Sequence, residues 1–122
     1  MKKRVLFVDD EPAILAGLRR RLRPMRSEWD MEFVESGAAA LKKLDGAEFD
    51  VIVTDMRMPK MDGARLLELV QEHHPKVVRI VLSGHAELEA AMRAVSVSHQ
   101  FLAKPCEAEV LVSVVKRACN LR

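Results

Sequence analysis

Short apolar runs alternate with segments of helical period along this chain, the runs falling at residues 4–8, 31–35, 50–54, 77–82 and 99–103. The first, RVLFV, is rich in β-branched and aromatic side chains and stops at DDEP, where Pro12 suits the opening turn of a helix. Ile14, Leu15, Leu18, Leu22 and Met25 then return at helical spacing, and Pro24 places the end of that helix near residue 23. MEFVE reads as a strand with one polar face, and Ser36 as the N-cap of a helix that carries Ala40, Leu41 and Leu44 and closes at Gly46. Leu66, Leu67 and Val70 mark a third helix, which stops before Pro75. Leu88, Ala91, Met92 and Val95 mark a fourth, and Val110, Leu111, Val114, Val115 and Ala118 a fifth. Strands joined by helical crossovers lie parallel, and such crossovers are right-handed. The expected fold is therefore α/β, a doubly wound (βα)5 arrangement with helices on both faces of a five-stranded parallel sheet.

A chain of 122 residues supports one real core, so residues 1–122 are expected to form a single domain, with no repeat, low-complexity stretch or linker. Apolar residues at 49% and charged residues at 31% give the balance of a globular protein rather than a disordered chain. Twenty Lys and Arg against 18 Asp and Glu leave +2, which gives no bulk electrostatic case for nucleic acid or a membrane surface. No apolar run approaches the roughly 20 residues of a membrane span. The start, MKKRVLFVDDEP, sets basic residues before an apolar stretch, but two acids cut that stretch too short for a signal peptide, so a cytoplasmic location is expected. Cys106 and Cys119 share no metal-type spacing and read as two reduced, partly buried thiols.

The polar residues that interrupt the pattern stand at one kind of position, the C-terminal end of a strand. Asp9 and Asp10 end the first run, Asp55 the third, Ser83 the fourth and Lys104 the fifth. Ligands of open α/β sheets bind at that edge, so residues far apart in sequence meet there. Three carboxylates held together repel, and one takes up a proton unless a cation is present. A hard divalent cation such as Mg²⁺ accepts one or two carboxylates, a carbonyl and several waters, leaving room for phosphate oxygens. Lys104 adds a positive point charge and Ser83 a hydroxyl donor. A carboxylate in that company is equipped to attack phosphorus, so the site reads as phosphoryl transfer onto Asp55, with Pro59 and Gly63 shaping the loop that holds it.

VLFVDDEP, VIVTDMRMPKMDG, IVLSG and FLAKP, in this order, resemble the motifs of receiver domains of the two-component response regulator family, over residues 3–120. The resemblance implies a flavodoxin-like, CheY-like sheet of order 2-1-3-4-5. It also implies phosphorylation of Asp55 from a phosphohistidine of a sensor histidine kinase or phosphotransfer protein. By position, Asp10 and Asp55 would ligate Mg²⁺ directly, Asp9 through water, and the backbone carbonyl of Arg57 would be a further ligand. Ser83 and Lys104 would contact the phosphoryl oxygens, with a cis peptide between Lys104 and Pro105 aiming the lysine. Ser83 would move inward on phosphorylation while Phe101, which has no hydroxyl, reports the state by packing. The last two helices and strand five would then form the face that controls an output domain or effector protein, and a surface for homodimer contact. No direct nucleic-acid or membrane partner is implied. Nor is catalysis on a separate substrate, only self-phosphorylation and slow loss of the phosphate.

Several residues keep two readings. Arg57 and His85 either influence how long the phosphate lasts or are ordinary exposed residues. The cluster Arg19, Arg20, Arg21, Arg23 and Arg26 reads first as the wet side of a helix, with an acidic partner as the alternative. His73, His74 and His99 read as structural or solvent-facing, and Met56, Met58 and Met61 as loop packing. An aspartyl-phosphate phosphatase of the haloacid-dehalogenase type needs a second Asp two residues after the nucleophile, and Arg57 stands there instead. A nucleotide-binding module would need a Gly-rich loop after the first strand, which is missing. A degenerate receiver acting only by contact fits poorly with a complete acid, hydroxyl and lysine set. LRPMRSEWDMEFVESG is similar to receivers that accompany HD-type output domains.

Overall fold

Along the first strand, Val5 and Phe7 turn to one face of the sheet and Leu6 and Val8 to the other, and all four are buried. A strand apolar on both faces belongs in the middle of a sheet covered on both sides. The computed structural model, which describes residues 2–83, 100–103 and 107–121, bears this out. Its strands are β1 (Lys3–Val8), β2 (Trp29–Val34), β3 (Val51–Asp55), β4 (Val78–Ser83) and β5 (Gln100–Ala103). All pair in parallel in the order β2-β1-β3-β4-β5, with Val5 beside Val51 and Val51 beside Val78. This is the doubly wound order 2-1-3-4-5 that the resemblance implies.

The helices are α1 (Pro12–Arg21), α2 (Gly37–Gly46), α3 (Gly63–His73) and α4 (Ala108–Leu121). Leu15 and Leu18 of α1 and Leu111, Val114, Val115 and Ala118 of α4 pack on the face shared with Val5, Phe7, Val53 and Ile80. Ala40 and Leu44 of α2 and Leu66, Leu67 and Val70 of α3 pack on the opposite face against Leu6, Ile52 and Val81. The helix expected from Leu88, Ala91, Met92 and Val95 lies outside the described residues, as do His85, His99, Lys104, Pro105 and Cys106.

Several boundaries differ from the expected ones, each for a physical reason. The first helix stops at Arg21, and a short 3-10 helix, Arg23–Ser27, carries the chain past Pro24. Pro24 has no N–H to give an α-helix and disfavours helical backbone at Arg23 before it. β2 starts at Trp29 rather than Met31, because Trp29 is buried and pairs in register with Lys3; the flanking Glu28 and Asp30 hide it in the sequence. Asp50 precedes β3 instead of opening it. Its carboxylate accepts from the Arg4 N–H at 2.8 Å while its own N–H donates to the Arg4 carbonyl at 2.8 Å, which pins the start of β3 against β1. Ile14, counted on the buried face of α1, is 38% exposed. Ser36 caps α2 as expected, its hydroxyl accepting from the Ala39 N–H at 3.1 Å. Among the described residues, no helix is long and apolar enough to cross a membrane.

Candidate functional site

β1 and β3 are neighbours in the sheet, so their C-terminal ends open at the same edge. Asp9 and Asp10 follow Val8 there, and Asp55 is the last residue of β3. One carboxylate oxygen from each of Asp9, Asp10 and Asp55 lies within 4.8 Å of the others. Asp9 is 2% and Asp55 6% exposed, while Asp10 lies closer to solvent. Negative charges brought this close repel one another, and a bound cation offsets that repulsion. Oxygen donors converging in this way suit a hard divalent cation, so the donor set fits a metal site.

Local hydrogen bonds fix two of the three acids. Asp9 donates its N–H to the Val34 carbonyl at 3.1 Å and accepts from the Glu11 N–H through Oδ1 at 3.0 Å, which ties the end of β1 both to β2 and to the start of α1. The buried Thr54 hydroxyl donates to the Asp55 carbonyl at 2.9 Å. Met56 donates its N–H to the Leu82 carbonyl at 3.0 Å, carrying the pairing of β3 with β4 one residue beyond Asp55. These bonds hold the Asp55–Met56 peptide, and with it the backbone that carries the carboxylate, at the edge.

The loop from Met56 to Asp62 then doubles back. Lys60 sits at φ 68°, and across it the Met61 N–H donates to the Pro59 carbonyl at 2.7 Å. That is a three-residue turn with its central residue in the left-handed region, a strained conformation for a lysine. Gly63 returns the chain to the strand end, its N–H donating to the Met56 carbonyl at 2.7 Å. A β-carbon on Gly63 would fall 2.9 Å from the Met56 Cα and closer still to the Asp55 carbonyl oxygen. Glycine is required here for space. Met56 and Met58 are buried beneath the loop, and Met61 packs against the same apolar cluster, so these methionines are loop packing.

The structure thus brings together Asp9, Asp10 and Asp55. Arg57, two residues on, is exposed. Ser83 is the last residue of β4, the strand beside β3, and Phe101 lies within β5, both placed by their backbone. Lys104, Pro105 and His85 fall outside the described residues. His74 is structural, its Nε2 lying 3.0 Å from Asp45 Oδ1.

Sequence reasoning missed the support around the site. Asp62 caps α3, its Oδ1 accepting from the Arg65 N–H at 2.9 Å, and an Asp-Gly pair before an apolar-periodic segment was the available signal. Gly37, at the start of α2, leaves room for Met61; a β-carbon there would lie 2.6 Å from the methionine sulfur. No local pattern marks that contact, since the two residues are far apart in sequence.

Residues 5–116 match the family described as response regulator receiver domain. The chain is 34% identical over 117 residues to the DNA-binding transcriptional regulator NtrC of Escherichia coli K12, covering 95% of this chain and 24% of that protein. It therefore spans about a quarter of the length of that relative. An uncharacterized protein from Neptuniibacter caesariensis is similar in structure, with a TM-score of 0.90 and 36% identity over 98% of this chain and 88% of that one. The signal receiver domain of an HD domain-containing protein from Pseudomonas fluorescens Pf-5 superposes with a TM-score of 0.91 at 26% identity, over 98% of this chain and 96% of that one. With the strand order, the acid cluster at the sheet edge and these similarities agreeing, the chain belongs to the response regulator receiver domain family.

Proposed function

We propose that this domain is a phosphorylatable switch in which Asp55 accepts a phosphoryl group from a phosphohistidine of a sensor histidine kinase or phosphotransfer protein. The observation that carries this reading is the convergence of the Asp9, Asp10 and Asp55 carboxylates within 4.8 Å at one sheet edge. Asp10 and Asp55 would hold Mg²⁺ directly, the Arg57 carbonyl would add a ligand, and Asp9 would bind through water. When bound, Mg²⁺ supplies positive charge against the acids and the phosphoryl oxygens.

The Asp55 carboxylate oxygen attacks phosphorus, the bond from phosphorus to the donor nitrogen breaks, and the electron pair leaves with the imidazole, which takes a proton from solvent. The bonds to the Asp55 carbonyl and from the Met56 N–H hold the backbone that carries the carboxylate, and positioning is the protein's main contribution in such a transfer. Lys104 and the Ser83 hydroxyl would contact the transferred oxygens. The added charge and acceptors draw Ser83 inward, and Phe101 repacks in response, which reshapes the face of β5 and the helices beside it. That face would control an output domain or effector, and would serve for homodimer contact. The similarity to the receiver of an HD domain-containing protein supports an HD-type output, and the similarity to NtrC supports a DNA-binding one. Arg57 and His85 would set the lifetime of the phosphate.

Intact-mass measurement after incubation with acetyl phosphate tests the reading. Wild type should gain one phosphoryl group only with Mg²⁺ present, and Asp55→Asn should gain none. Labelling of Asp55→Asn to the wild-type level would refute the assignment. Lys104→Ala should leave Mg²⁺ binding intact while impairing the conformational response, and unchanged phosphate lifetimes in both Arg57→Ala and His85→Ala would remove those residues from the mechanism.

A further inference from the structure

Arg19, Arg20, Arg21, Arg23 and Arg26 crowd the end of α1 and the 3-10 helix after it. All five are exposed, and none forms an ion pair with a described residue. Four other described cations do pair, Lys2 with Asp30, Arg4 and Lys43 with Glu32, and Arg65 with Glu68. The helix dipole favours arginines in the last turn of α1, but Arg23 and Arg26 lie beyond it, where that favour has faded. On a chain whose net charge is only +2, this is a concentrated positive field.

The field surrounds a groove. A cavity of about 370 Å³ is lined by Lys2, Arg19, Arg23, Arg26, Trp29, Met31 and Phe33, and by Asp30, whose carboxylate is paired with Lys2. Its floor is apolar, with Trp29 buried and Phe33 half-buried on β2, the edge strand of the sheet. Phe33 stacks on Phe7 with ring centroids 5.0 Å apart, and the Arg19 guanidinium lies 4.8 Å from its ring centre. Lys2 and Trp29 sit at the N-terminal ends of β1 and β2, the sheet edge opposite Asp55.

We propose that this groove docks an acidic peptide segment of a partner protein, its carboxylates on Arg19, Arg23 and Arg26 and an apolar side chain against the half-buried Met31 and Phe33. Arginine forks match carboxylates bidentately, and an apolar floor with a cationic rim selects a segment that mixes acids with hydrophobic residues. Single-stranded nucleic acid fits less well, because base stacking needs an open aromatic face. Trp29 is buried, and the Phe33 ring is already engaged by Phe7 and Arg19. The inference does not depend on the phosphoryl-transfer reading.

Trp29 is the only tryptophan in the chain, so its fluorescence reads the groove directly. The probe is a synthetic peptide of alternating glutamate and leucine, with a glutamine-for-glutamate peptide as control. The acidic peptide should give a saturable change in Trp29 emission that weakens as salt is raised, and the control peptide none. Arg23→Glu/Arg26→Glu should weaken binding by about tenfold or more, as expected for reversed charges at a contact, while Arg65→Glu on α3 leaves it unchanged. If the reversal lowers the melting temperature, Arg23→Gln/Arg26→Gln reads the same contact with the fold kept. No saturable change, or equal affinity in variants that fold, overturns the proposal. Tighter binding of polyuridine RNA or phosphatidylglycerol vesicles through these arginines also overturns it, by assigning the groove to another class of partner.

Discussion

Replacing Gly63 with alanine would wedge a methyl group between α3 and the strand end that carries Asp55. The new carbon would meet the Met56 Cα at 2.9 Å and press harder still on the Asp55 carbonyl oxygen, against an ordinary carbon–oxygen contact of roughly 3.3–3.6 Å. Both obstacles are backbone, so no side chain can rotate aside. The helix cannot simply retreat either, because the Gly63 N–H is bonded to the Met56 carbonyl at 2.7 Å. Overpacking of this kind costs about 1–3 kcal/mol. With an unfolding entropy of about 2.1 cal/mol/K per residue over 122 residues, that loss lowers Tm by roughly 4–12 °C. A shift of the Asp55 backbone also moves one of three carboxylates that must act together, so labelling by acetyl phosphate should slow by about tenfold or more. Thermal unfolding followed by circular dichroism and labelling followed by intact mass read the two effects separately. A Gly63→Ala protein that melts within about 1 °C of wild type and labels at the wild-type rate would refute the reasoning.

Asp62→Ala removes the cap of α3 and should cost about 1 kcal/mol, or a fall in Tm of roughly 4 °C, while Asp62→Asn keeps most of it; equal melting of both variants and wild type would count against the cap. Gly37→Ala should displace Met61 and slow phosphorylation, and Gly37→Ala/Met61→Ala should recover part of the rate; a double variant as slow as the single one would show that the contact does not matter. Cys119 is buried, and burial chiefly, with the Asp50 charge adding to it and Lys3 opposing, pushes its thiol up. In Cys106→Ser, Cys119 should resist iodoacetamide at pH 8 until the protein unfolds, and fast native alkylation would contradict that burial. The sign of the pH effect follows. A raised folded value means full stability below the ordinary thiol range, near pH 8.5, and a loss as pH climbs beyond it, which Cys119→Ala should lessen in chemical denaturation.

The sheet and its acids were readable because they obey one-dimensional rules. Strands buried on both faces show as unbroken apolar runs, and Asp9, Asp10 and Asp55 stand where such runs stop. Topology then converts those stops into proximity, which no single motif could do. What escaped were features that depend on other parts of the chain. Trp29 opens β2 only because Lys3 is across from it, and its charged neighbours conceal that in sequence. Ile14 keeps the helical period yet sits at the shoulder of the buried face of α1. The Gly63 and Gly37 contacts involve space rather than backbone angle, since no described glycine has a positive φ, so no turn signature announces them. Lys60 is the converse case, a residue in the left-handed region where sequence habits favour glycine or asparagine.

The central claim is that one carboxylate, Asp55, carries the phosphoryl group. Its most direct test is to label the protein with acetyl phosphate, reduce the acyl phosphate with borohydride and map the peptides by mass. The account predicts homoserine in place of Asp55 when Mg²⁺ is present, with Asp9 and Asp10 unchanged. Homoserine at another acid, or at position 55 equally without Mg²⁺, would contradict it.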